Sequence, residues 1–437
     1  MVEPIRVGVA GLGTVGASVI RLLERQRQAL ANRTGRTIVV TGVSARNRSR
    51  DRGVSLDGTK WFDDPVALAR SSDIDLFVEL VGGDEGPARE AVEAALKSGK
   101  SVVTANKALL AKHGMGLARL AEEKRVALAF EASVAGGIPI VKTLREGLAG
   151  NQIVRVYGIL NGTCNYILSR MEREELSFEE CLSEAQRLGY AEADPTFDIG
   201  GFDTAHKLSI LSSLAFGTVI DAEAVHVEGI QTISLADLKA AEELGYRIKL
   251  LGVAQRTRDG IEQRVHPTMV PRSSAIAQVM GVTNAVTIDA DAVKELTLVG
   301  PGAGGEATAS AVVADIADIA KGIRSAPLGL PVAALDHSPR VAVQRHEGGY
   351  YIRLSVYDRP GAFASIASRM AQRQISLESI MQRTGGGPRS AAAPGQPVTV
   401  VLITYATTET VIREALEAVL SDGYIAERPQ VIRIERE

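Results

Sequence analysis

The 437-residue sequence predicts three successive folding units, namely an α/β unit built on a doubly wound parallel sheet, an α+β unit and a ferredoxin-like unit. Three observations predict this order. Strand-like apolar runs alternate with helical patterns over residues 1–130. An Asp-Gly turn joins two long strand-like runs near residue 259, which is typical of a hairpin. Residues 350–437 then follow the order βαββαβ. At roughly 150 residues per domain, the length also suits three units.

Composition excludes several classes of function. Lys and Arg number 49 and Asp and Glu 52, which gives a net charge of −3 without long blocks of one sign, so neither nucleic acid nor an anionic membrane is expected as the main partner. The two cysteines provide neither a disulfide framework nor a Cys-rich metal site. No leader-like start and no run of 18 apolar residues are seen, so we expect a cytoplasmic protein. Glycine is enriched, at 43 residues, and it is clustered.

The first glycine cluster follows the strand-like run 5–10. Its sequence, GLGTVG at 11–16, precedes Val19 and Leu23 at helical spacing. Strand, GxGxxG and helix in this order indicate a Rossmann-type dinucleotide site, with one glycine for the turn, one for the pyrophosphate and one for helix packing. The alternative is a glycine-rich turn without a ligand. The predicted pyrophosphate-binding residues are Gly11, Leu12, Gly13, Thr14, Val15 and Gly16.

The rest of the first unit continues the alternation. Further strands are predicted at 38–43, 75–81, 101–104 and 126–130, with helices at 87–97 and 109–123. An NAD-selective site places a carboxylate at the end of the second strand, but here the sequence SARNRSR occupies 44–50. Arginine suits a 2′-phosphate, so NADP is favoured, with Arg46 as the first candidate and NAD still possible. The alternative is a solvated basic loop.

Two lysines and an acidic loop are candidates for chemistry. Lys107 lies just past the strand 101–104, at the sheet edge where ligands of such folds bind. Residues 189–203 form an acidic loop broken by Pro and Gly, and Asp203 with Lys207 is an i,i+4 pair. Burial beside a carboxylate could tune Lys207 for proton transfer. The alternatives are a surface lysine at 107 and a snorkelling ion-paired lysine at 207.

Other candidates are interpreted as structural. His206 is a lone histidine, and Cys164 is expected to be a packed thiol. The glycine-containing segments 131–139 and 300–308 could each expose backbone groups to a ligand, or be turns only.

The middle and last units are predicted element by element. The middle unit has strands at 247–255, 261–270, 286–289 and 295–299, and helices at 178–188 and 203–216, as a largely antiparallel sheet. The last unit follows a connector that contains Pro327, Gly329 and Pro331 and leads to Ser338-Pro339. It has strands at 350–356, 376–382, 397–405 and 430–434, helices at 361–373 and 409–420, and a loop at 384–396.

Together these motifs resemble homoserine dehydrogenase, in the monofunctional bacterial form with a C-terminal ACT domain rather than the form fused to aspartokinase. The resemblance spans the chain and is carried by GLGTVG at 11–16, SARNRS at 44–49, TANKALLA at 104–111, EASVAGGIPI at 131–140, NGTCNYIL at 161–168, GYAEADPTFDIGGFDTAHKL at 189–208 and GPGAGGEATASAV at 300–312. It implies a Rossmann domain at 1–130, a substrate and dimerisation domain at 131–330 and an ACT domain at 350–437.

The resemblance also implies activity and site residues. The reaction would interconvert L-homoserine and L-aspartate 4-semialdehyde with NAD(P), in threonine and methionine biosynthesis. Lys207 would carry the proton and Asp203 would orient it, while Lys107 would be a further catalytic residue beside cofactor and substrate. Thr104 would lie at the cofactor and Gly302 at the nicotinamide. Glu192 would bind the substrate ammonium, with Asp198 as a further contact. A sodium ion would be held by carbonyls of Glu131, Val134, Gly136 and Ile138.

The last unit, residues 350–437, implies regulation of the activity by an amino acid. Asp-Arg-Pro-Gly-Ala-Phe at 358–363 resembles the ACT turn at which amino acids bind, so feedback inhibition by threonine is expected, with a purely structural domain as the alternative. Truncation near residue 345 should then leave an active, threonine-insensitive enzyme. A homodimer or homotetramer is expected. Two rivals stay open, namely another NAD(P)-dependent reductase of an amino-acid aldehyde or imine, and a non-catalytic amino-acid sensor.

Overall fold

The computed structural model describes residues 3–337, 347–383 and 397–435. The predicted loop 384–396 and the Ser338-Pro339 part of the connector lie outside these residues. Within them, no helix combines the length and apolarity that a membrane crossing requires.

The first sheet is parallel throughout and confirms the predicted doubly wound unit. Its strand order is β3-β2-β1-β4-β5-β6, so the order reverses between β1 and β4, and ligands of such sheets bind beyond the carboxyl ends of these two strands. Its elements are Ile5–Ala10 (β1), Thr14–Arg25 (α1), Arg27–Thr34 (α2), Ile38–Ser44 (β2), Lys60–Phe62 (β3), Pro65–Arg70 (α3), Leu76–Glu79 (β4), Pro87–Lys97 (α4), Ser101–Thr104 (β5), Lys107–Lys124 (α5) and Leu128–Ala129 (β6).

The second sheet has eleven strands, and its first part is the α+β unit. Its central path runs β12-β11-β7-β9-β10 and continues into four strands of the last unit. The predicted hairpin is present, since β9 and β10 pair antiparallel from Thr257 and Gly260 outwards. The α+β elements are Ile140–Lys142 (α6), Ile153–Ile159 (β7), Gly162–Glu174 (α7), Phe178–Arg187 (α8), Thr196–Ile199 (α9), Phe202–Phe216 (α10), His226–Val227 (β8), Leu235–Glu243 (α11), Tyr246–Thr257 (β9), Gly260–Pro271 (β10), Thr283–Ala290 (β11), Lys294–Pro301 (β12) and Gly305–Ala320 (α12).

Helix α12 belongs structurally to the cofactor domain although it lies far along the chain. Its buried Ala309, Val312 and Ile316 pack in one apolar cluster with Val19 and Leu23 of α1. A Cβ on Gly305 would lie 2.7 Å from the Ser18 hydroxyl oxygen, so only glycine lets α12 start this close to α1. The glycine motif and the segment near residue 300 are therefore held against each other.

The last unit has the predicted βαββαβ order, and its strands lie in the ferredoxin-like order β17-β13-β15-β14. Its elements are Glu347–Tyr357 (β13), Ala362–Gln372 (α13), Leu377–Arg383 (β14), Pro397–Thr404 (β15), Thr407–Thr408 (β16), Glu409–Ser421 (α14) and Gln430–Ile434 (β17). One face of this sheet packs on α13 and α14 in a core of its own.

The last unit is fused to the α+β unit rather than tethered to it. Strand β17 pairs parallel with β10 through Thr268 and Met269, so one sheet runs through both units. Across the same junction, Arg353 Nε lies 2.7 Å from Asp237 Oδ1, and Asp237 is fully buried. The outer face of the last sheet, including Tyr351, shares the large core of the α+β unit.

Candidate active site

The glycine motif follows β1 at the point where the strand order reverses. Gly11 has a φ of +94°, and a Cβ there would lie 2.2 Å from the Leu80 carbonyl oxygen. A Cβ on Gly16 would lie 2.0 Å from the Gly11 carbonyl oxygen, whereas nothing lies within 4 Å of one on Gly13. Gly11 and Gly16 thus make the tight turn and the close packing of α1, and the backbone at Gly13 faces open space where a pyrophosphate fits.

The basic loop after β2 is braced against the glycine motif. Arg46 is exposed, as a 2′-phosphate ligand must be. Arg52 Nε donates to the Leu12 carbonyl oxygen at 3.2 Å, and its guanidinium lies over Trp61 at 5.5 Å from the ring centroid. Arg48 lies 5.9 Å from the same centroid. Sequence reasoning missed Arg52 and Trp61, because nothing local shows that residue 52 reaches back to residue 12.

The predicted chemistry-bearing residues meet around one carboxylate. Lys107 is the first residue of α5, directly after β5, and its Nζ lies 2.9 Å from Asp203 Oδ1. Lys207, one turn along α10 from Asp203, places its Nζ 2.8 Å from Oδ2. The side chain of Asp203 is 5% exposed, that of Lys207 12% and that of Lys107 35%. A buried carboxylate therefore bridges two lysines of different accessibility.

Asn161 completes this cluster and was not singled out by the sequence. It caps α7, with its Oδ1 accepting from the Cys164 amide at 2.8 Å. Its Nδ2 donates to Asp203 Oδ2 and to Asp198 Oδ1, both at 2.9 Å. An Asn directly before a helix is a recognisable cap, but its second role depends on a contact 42 residues away.

The pKa values of the two lysines shift in opposite directions. Burial lowers the pKa of Lys207, and the attraction of Asp203 only partly offsets this. Burial also acts to lower the pKa of Lys107, but the Asp203 carboxylate outweighs it and raises the pKa. The pKa of Asp203 is lowered, since the two lysines overcome the effect of its burial. Lys207 is thus the more acidic ammonium and Lys107 the more persistent cation.

The acidic loop lines the same centre. Asp198 lies in α9, half-buried, and its pKa is raised by burial and by Asp203. Glu192 is exposed, and its charge is felt at Lys107. The packed-thiol interpretation of Cys164 is confirmed, because the residue is fully buried, its Sγ donates to the Asp198 carbonyl oxygen at 3.2 Å, and burial raises its pKa. His206 is half-buried, with its ring 5.2 Å from that of Phe197.

Thr104, at the end of β5, is fully buried and makes two hydrogen bonds within the cofactor domain. Its hydroxyl donates to Glu79 Oε2 at 2.6 Å and accepts from the Asn106 amide at 3.0 Å. Glu79 Oε1 in turn accepts from the amides of Val81 and Gly82. Both hydroxyl contacts are internal, so a contact of Thr104 with the cofactor stays a prediction.

The two later glycine clusters meet each other. The Gly137 amide donates to the Pro301 carbonyl oxygen at 2.9 Å, and a Cβ on Gly136 would lie 2.5 Å from the Gly302 carbonyl oxygen. Gly302 itself is packed on the side chain of Asn284, 1.9 Å from where its own Cβ would be. The cofactor edge and the segment expected to hold a cation therefore form one continuous backbone contact.

The segment expected to hold a cation has a suitable donor set. Glu131, Val134 and Ile138 are buried, and the chain turns left-handed at Ala135 and Gly136. The Glu131 amide donates to Asp315 Oδ2 at 2.9 Å, and the Glu131 carboxylate accepts from the Val141 and Lys142 amides. Backbone carbonyl oxygens are the ligands that a hard cation prefers. The residues present thus fit a monovalent ion.

Comparison with known proteins decides the family. The family profile described as homoserine dehydrogenase matches residues 139–317, that of its NAD-binding domain matches 11–131, and that of the ACT domain matches 350–422. The homoserine dehydrogenase of Pseudomonas aeruginosa is 45% identical to this chain over 424 residues, covering 95% of each. The chain belongs to the homoserine dehydrogenase family.

Solved structures agree with this membership. A homoserine dehydrogenase from Thiobacillus denitrificans matches with a TM-score of 0.92 and 42% identity, covering 99% of this chain and 98% of that one. A hyperthermophilic archaeal homoserine dehydrogenase in complex with NADPH matches with a TM-score of 0.63 and 26% identity, covering 74% and 98%.

Family membership settles the reaction class. The chain is an NAD(P)-dependent oxidoreductase that interconverts L-homoserine and L-aspartate 4-semialdehyde, and it carries a C-terminal ACT domain. It uses a nicotinamide cofactor. The rival interpretations as a different aldehyde or imine reductase, or as a sensor without catalysis, are thereby set aside.

Proposed function

We propose that Lys207 is the proton donor and acceptor of the homoserine dehydrogenase reaction, with Asp203 as its positioning carboxylate and Lys107 as a fixed cation. One observation carries this assignment. The Asp203 carboxylate bridges the two lysines at the carboxyl edge of the cofactor sheet. Pairs of groups whose environments push their pKa values apart mark acid and base roles, and here Lys207 is the one with the lowered pKa.

In the reducing direction the aldehyde oxygen gains negative charge and then a proton. The bound nicotinamide supplies the hydride that adds to the aldehyde carbon. The Lys207 ammonium gives its proton to the oxygen as the alkoxide develops, and in the oxidising direction neutral Lys207 takes that proton back. Lys207 Nζ also donates to the Leu160 carbonyl oxygen at 2.7 Å, which holds the amine at one place. Lys107 adds charge stabilisation without having to lose its proton.

The acidic loop supplies recognition of the amino-acid part of the substrate. We assign Glu192 to the substrate ammonium, because it is an exposed carboxylate whose charge reaches Lys107. Asp198 is a further polar contact, held by Asn161 at 2.9 Å. Substitution of Glu192 by Gln should therefore raise the KM for homoserine more than it lowers kcat.

The experiment that tests the central assignment replaces Lys207 by Ala. Loss of a general acid should lower kcat by at least ~100-fold, while the Kd for NADPH, measured by fluorescence, stays within twofold. Lys112→Ala is the matched control, because Lys112 lies on the same helix as Lys107 but pairs with Asp84 and Glu85 at the surface. Activity surviving in Lys207→Ala would show that the proton moves through another group.

Cofactor preference and the cation follow from the neighbouring geometry. We infer a preference for NADP, supported by the basic loop at Arg46 and by the NADPH bound to the archaeal relative. We also infer that carbonyls of Glu131, Val134, Gly136 and Ile138 would hold sodium, which would fix the backbone contact between Gly136 and Gly302. A thermal shift of the protein with NaCl but not with choline chloride tests this.

Regulation, assembly and location are further proposals. We infer feedback inhibition by threonine through the ACT domain, and a homodimer or homotetramer in the cytoplasm. The exposed Val299 supports association, because it lies on β12, the strand at one edge of the large sheet. Sedimentation equilibrium tests the assembly.

A further inference from the structure

Asn161, the residue that precedes helix α7, lies between two carboxylates of the active site and is 5% exposed. Its Nδ2 donates to Asp203 Oδ2 and to Asp198 Oδ1, each at 2.9 Å. The same Asp203 oxygen accepts from Lys207 Nζ at 2.8 Å. One amide group therefore contacts the carboxylate that positions Lys207 and the carboxylate proposed as a substrate contact.

The other end of the Asn161 side chain determines how this amide is oriented. Its Oδ1 accepts from the Cys164 amide at 2.8 Å, and because a backbone N–H only donates, the oxygen must be the atom that faces the helix. The NH2 group then faces the two carboxylates and has one proton for each of them. A donated proton requires an acceptor, so these contacts favour the ionised form of both carboxylates.

Without such a donor, Asp198 and Asp203 would favour a different state. Asp203 is buried and Asp198 is half-buried. Burial and the negative charge of Asp203 raise the pKa of Asp198, whereas the hydrogen bond from Asn161 lowers it. Carboxylates in this situation tend to take up one proton between them, and the pair then titrates as a unit. Asn161 is a neutral donor that opposes this uptake.

The other charged and titratable groups that face Asp198 belong to three helices. They are Asp203 and Lys207 of α10, Lys107 of α5 and the Cys164 thiol of α7. The two lysines lower the pKa of Asp198, as Asn161 does. The thiol donates to the backbone carbonyl of Asp198, and burial raises its pKa, so it stays neutral. Removal of the Asn161 NH2 group leaves all these charges in place and therefore tests the hydrogen bonds alone.

We propose that Asn161 is a positioning residue of the reaction, which holds Asp198 and Asp203 as a pair of ionised carboxylates and so connects the acidic loop with the proton carrier. The inference rests on the proposed roles of Asp198 and Asp203, and it adds a group that acts through both of them. A proton on the pair would remove the charge that Asp198 offers to the substrate or weaken the hold of Asp203 on Lys207.

The alternative is that Asn161 only caps α7, and two substitutions separate these roles. Asn, Asp and Ser are similarly good caps. Asn161→Ser keeps a cap but has one hydroxyl proton and a shorter reach, so it cannot bridge both carboxylates. Asn161→Asp keeps the cap and the shape but loses the NH2 group. Ser177→Ala is the matched control, because it removes the cap of α8, where Ser177 Oγ accepts from the Glu180 amide at 3.2 Å.

The assay is the pH dependence of kcat/KM for aspartate semialdehyde reduction with NADPH, measured on the full chain. The decline at low pH reports protonation of the carboxylate pair, and the decline at high pH reports deprotonation of Lys207. Loss of a hydrogen bond to a charged group raises the pKa of the pair. In Asn161→Ser the low-pH decline should therefore move up by at least ~1 pH unit, with the high-pH decline unchanged.

Asn161→Asp should displace the low-pH decline at least as far, and Ser177→Ala should displace neither decline. A low-pH decline at the wild-type position in both Asn161 variants would show that the residue is a cap alone and overturns the proposal. An equal displacement in Ser177→Ala overturns it as well. If Asn161→Ser does not fold, Asn161→Asp decides between the same two outcomes. Failure of the proposed function is distinguishable, because it appears as activity that survives in Lys207→Ala.

Discussion

Replacement of Asp203 by Asn tests the electrostatic core of the site. The change keeps the shape of the side chain but removes the charge that both lysines contact, at 2.8 Å from Lys207 and 2.9 Å from Lys107. Two unit charges about 4 Å apart at an effective dielectric constant near 20 interact by about 4 kcal/mol, which corresponds to about 3 pKa units. Partial solvent access to Lys107 reduces this value. We therefore expect the pKa of Lys207, already lowered by burial, to fall by a further ~1–3 units.

The assay is the pH dependence of kcat/KM for aspartate semialdehyde reduction. This direction needs protonated Lys207, so activity declines as the pH rises through its pKa, and in Asp203→Asn that decline should move to lower pH by at least ~1 unit. Asp194→Asn is the control, because Asp194 is an exposed carboxylate of the same loop. A decline at the wild-type pH in Asp203→Asn, or an equal displacement in the control, would refute the assignment.

Three further predictions address cofactor binding, the acidic loop 189–203 and the stability of the fold. Arg52→Ala should loosen the basic loop and weaken NADPH binding about tenfold, as expected for loss of an aligned charge-assisted contact, while NADH binding stays unchanged. Both titrations can be followed by the fluorescence of Trp61, the single tryptophan. Equal weakening for both cofactors would contradict this prediction. A Cβ on Gly229 would lie 2.3 Å from the Ile199 carbonyl oxygen, so Gly229→Ala should displace the acidic loop 189–203. The KM for homoserine should rise about tenfold without a change in the Kd for NADPH, and an unchanged KM would show that the loop tolerates the Cβ. Burial lowers the pKa of Lys249 to about 7. The unfolded chain, with a lysine pKa near 10.4, therefore binds more protons than the folded one between about pH 7 and 10, so stability rises with pH in this window. Between pH 7.5 and 9.0 the wild type should gain roughly 2 kcal/mol relative to Lys249→Met in urea unfolding, and parallel curves would contradict this.

Local patterns were enough to predict most elements. The strand 101–104, the helix 87–97 and the strand 430–434 have the predicted bounds, because each is a short run with a single period bordered by turn residues. Strand β7 and helix α7 were not predicted, although they carry Leu160 and Asn161 between them. The polar residues of Gly162–Glu174 hide its helical period, and its buried Asn165 and Ser169 have hydrogen-bond partners elsewhere in the chain.

Contacts between distant segments were beyond local reasoning. The sequence indicated Lys107 and Asp203 separately, but their 2.9 Å contact depends on how the two domains dock. The glycine clusters near 136 and 302 were likewise considered separately, each as a ligand contact or a turn, whereas the structure packs them against each other. The last unit was predicted as a separate module because its βαββαβ pattern is complete by itself, and nothing in that pattern shows that β17 has a second partner in β10.

The shared sheet has a consequence for synthesis on the ribosome. On the edge of β10 away from β9, the backbone at Thr268 and Met269 pairs with β17, and Arg264 reaches Glu435 171 residues later. At about 5–20 residues per second, roughly 10–30 s of translation separate the two. During that time this strand edge is exposed, which favours aggregation. A chain stopped near residue 345 would keep that edge permanently, so the final strand is needed to close the sheet of the α+β unit.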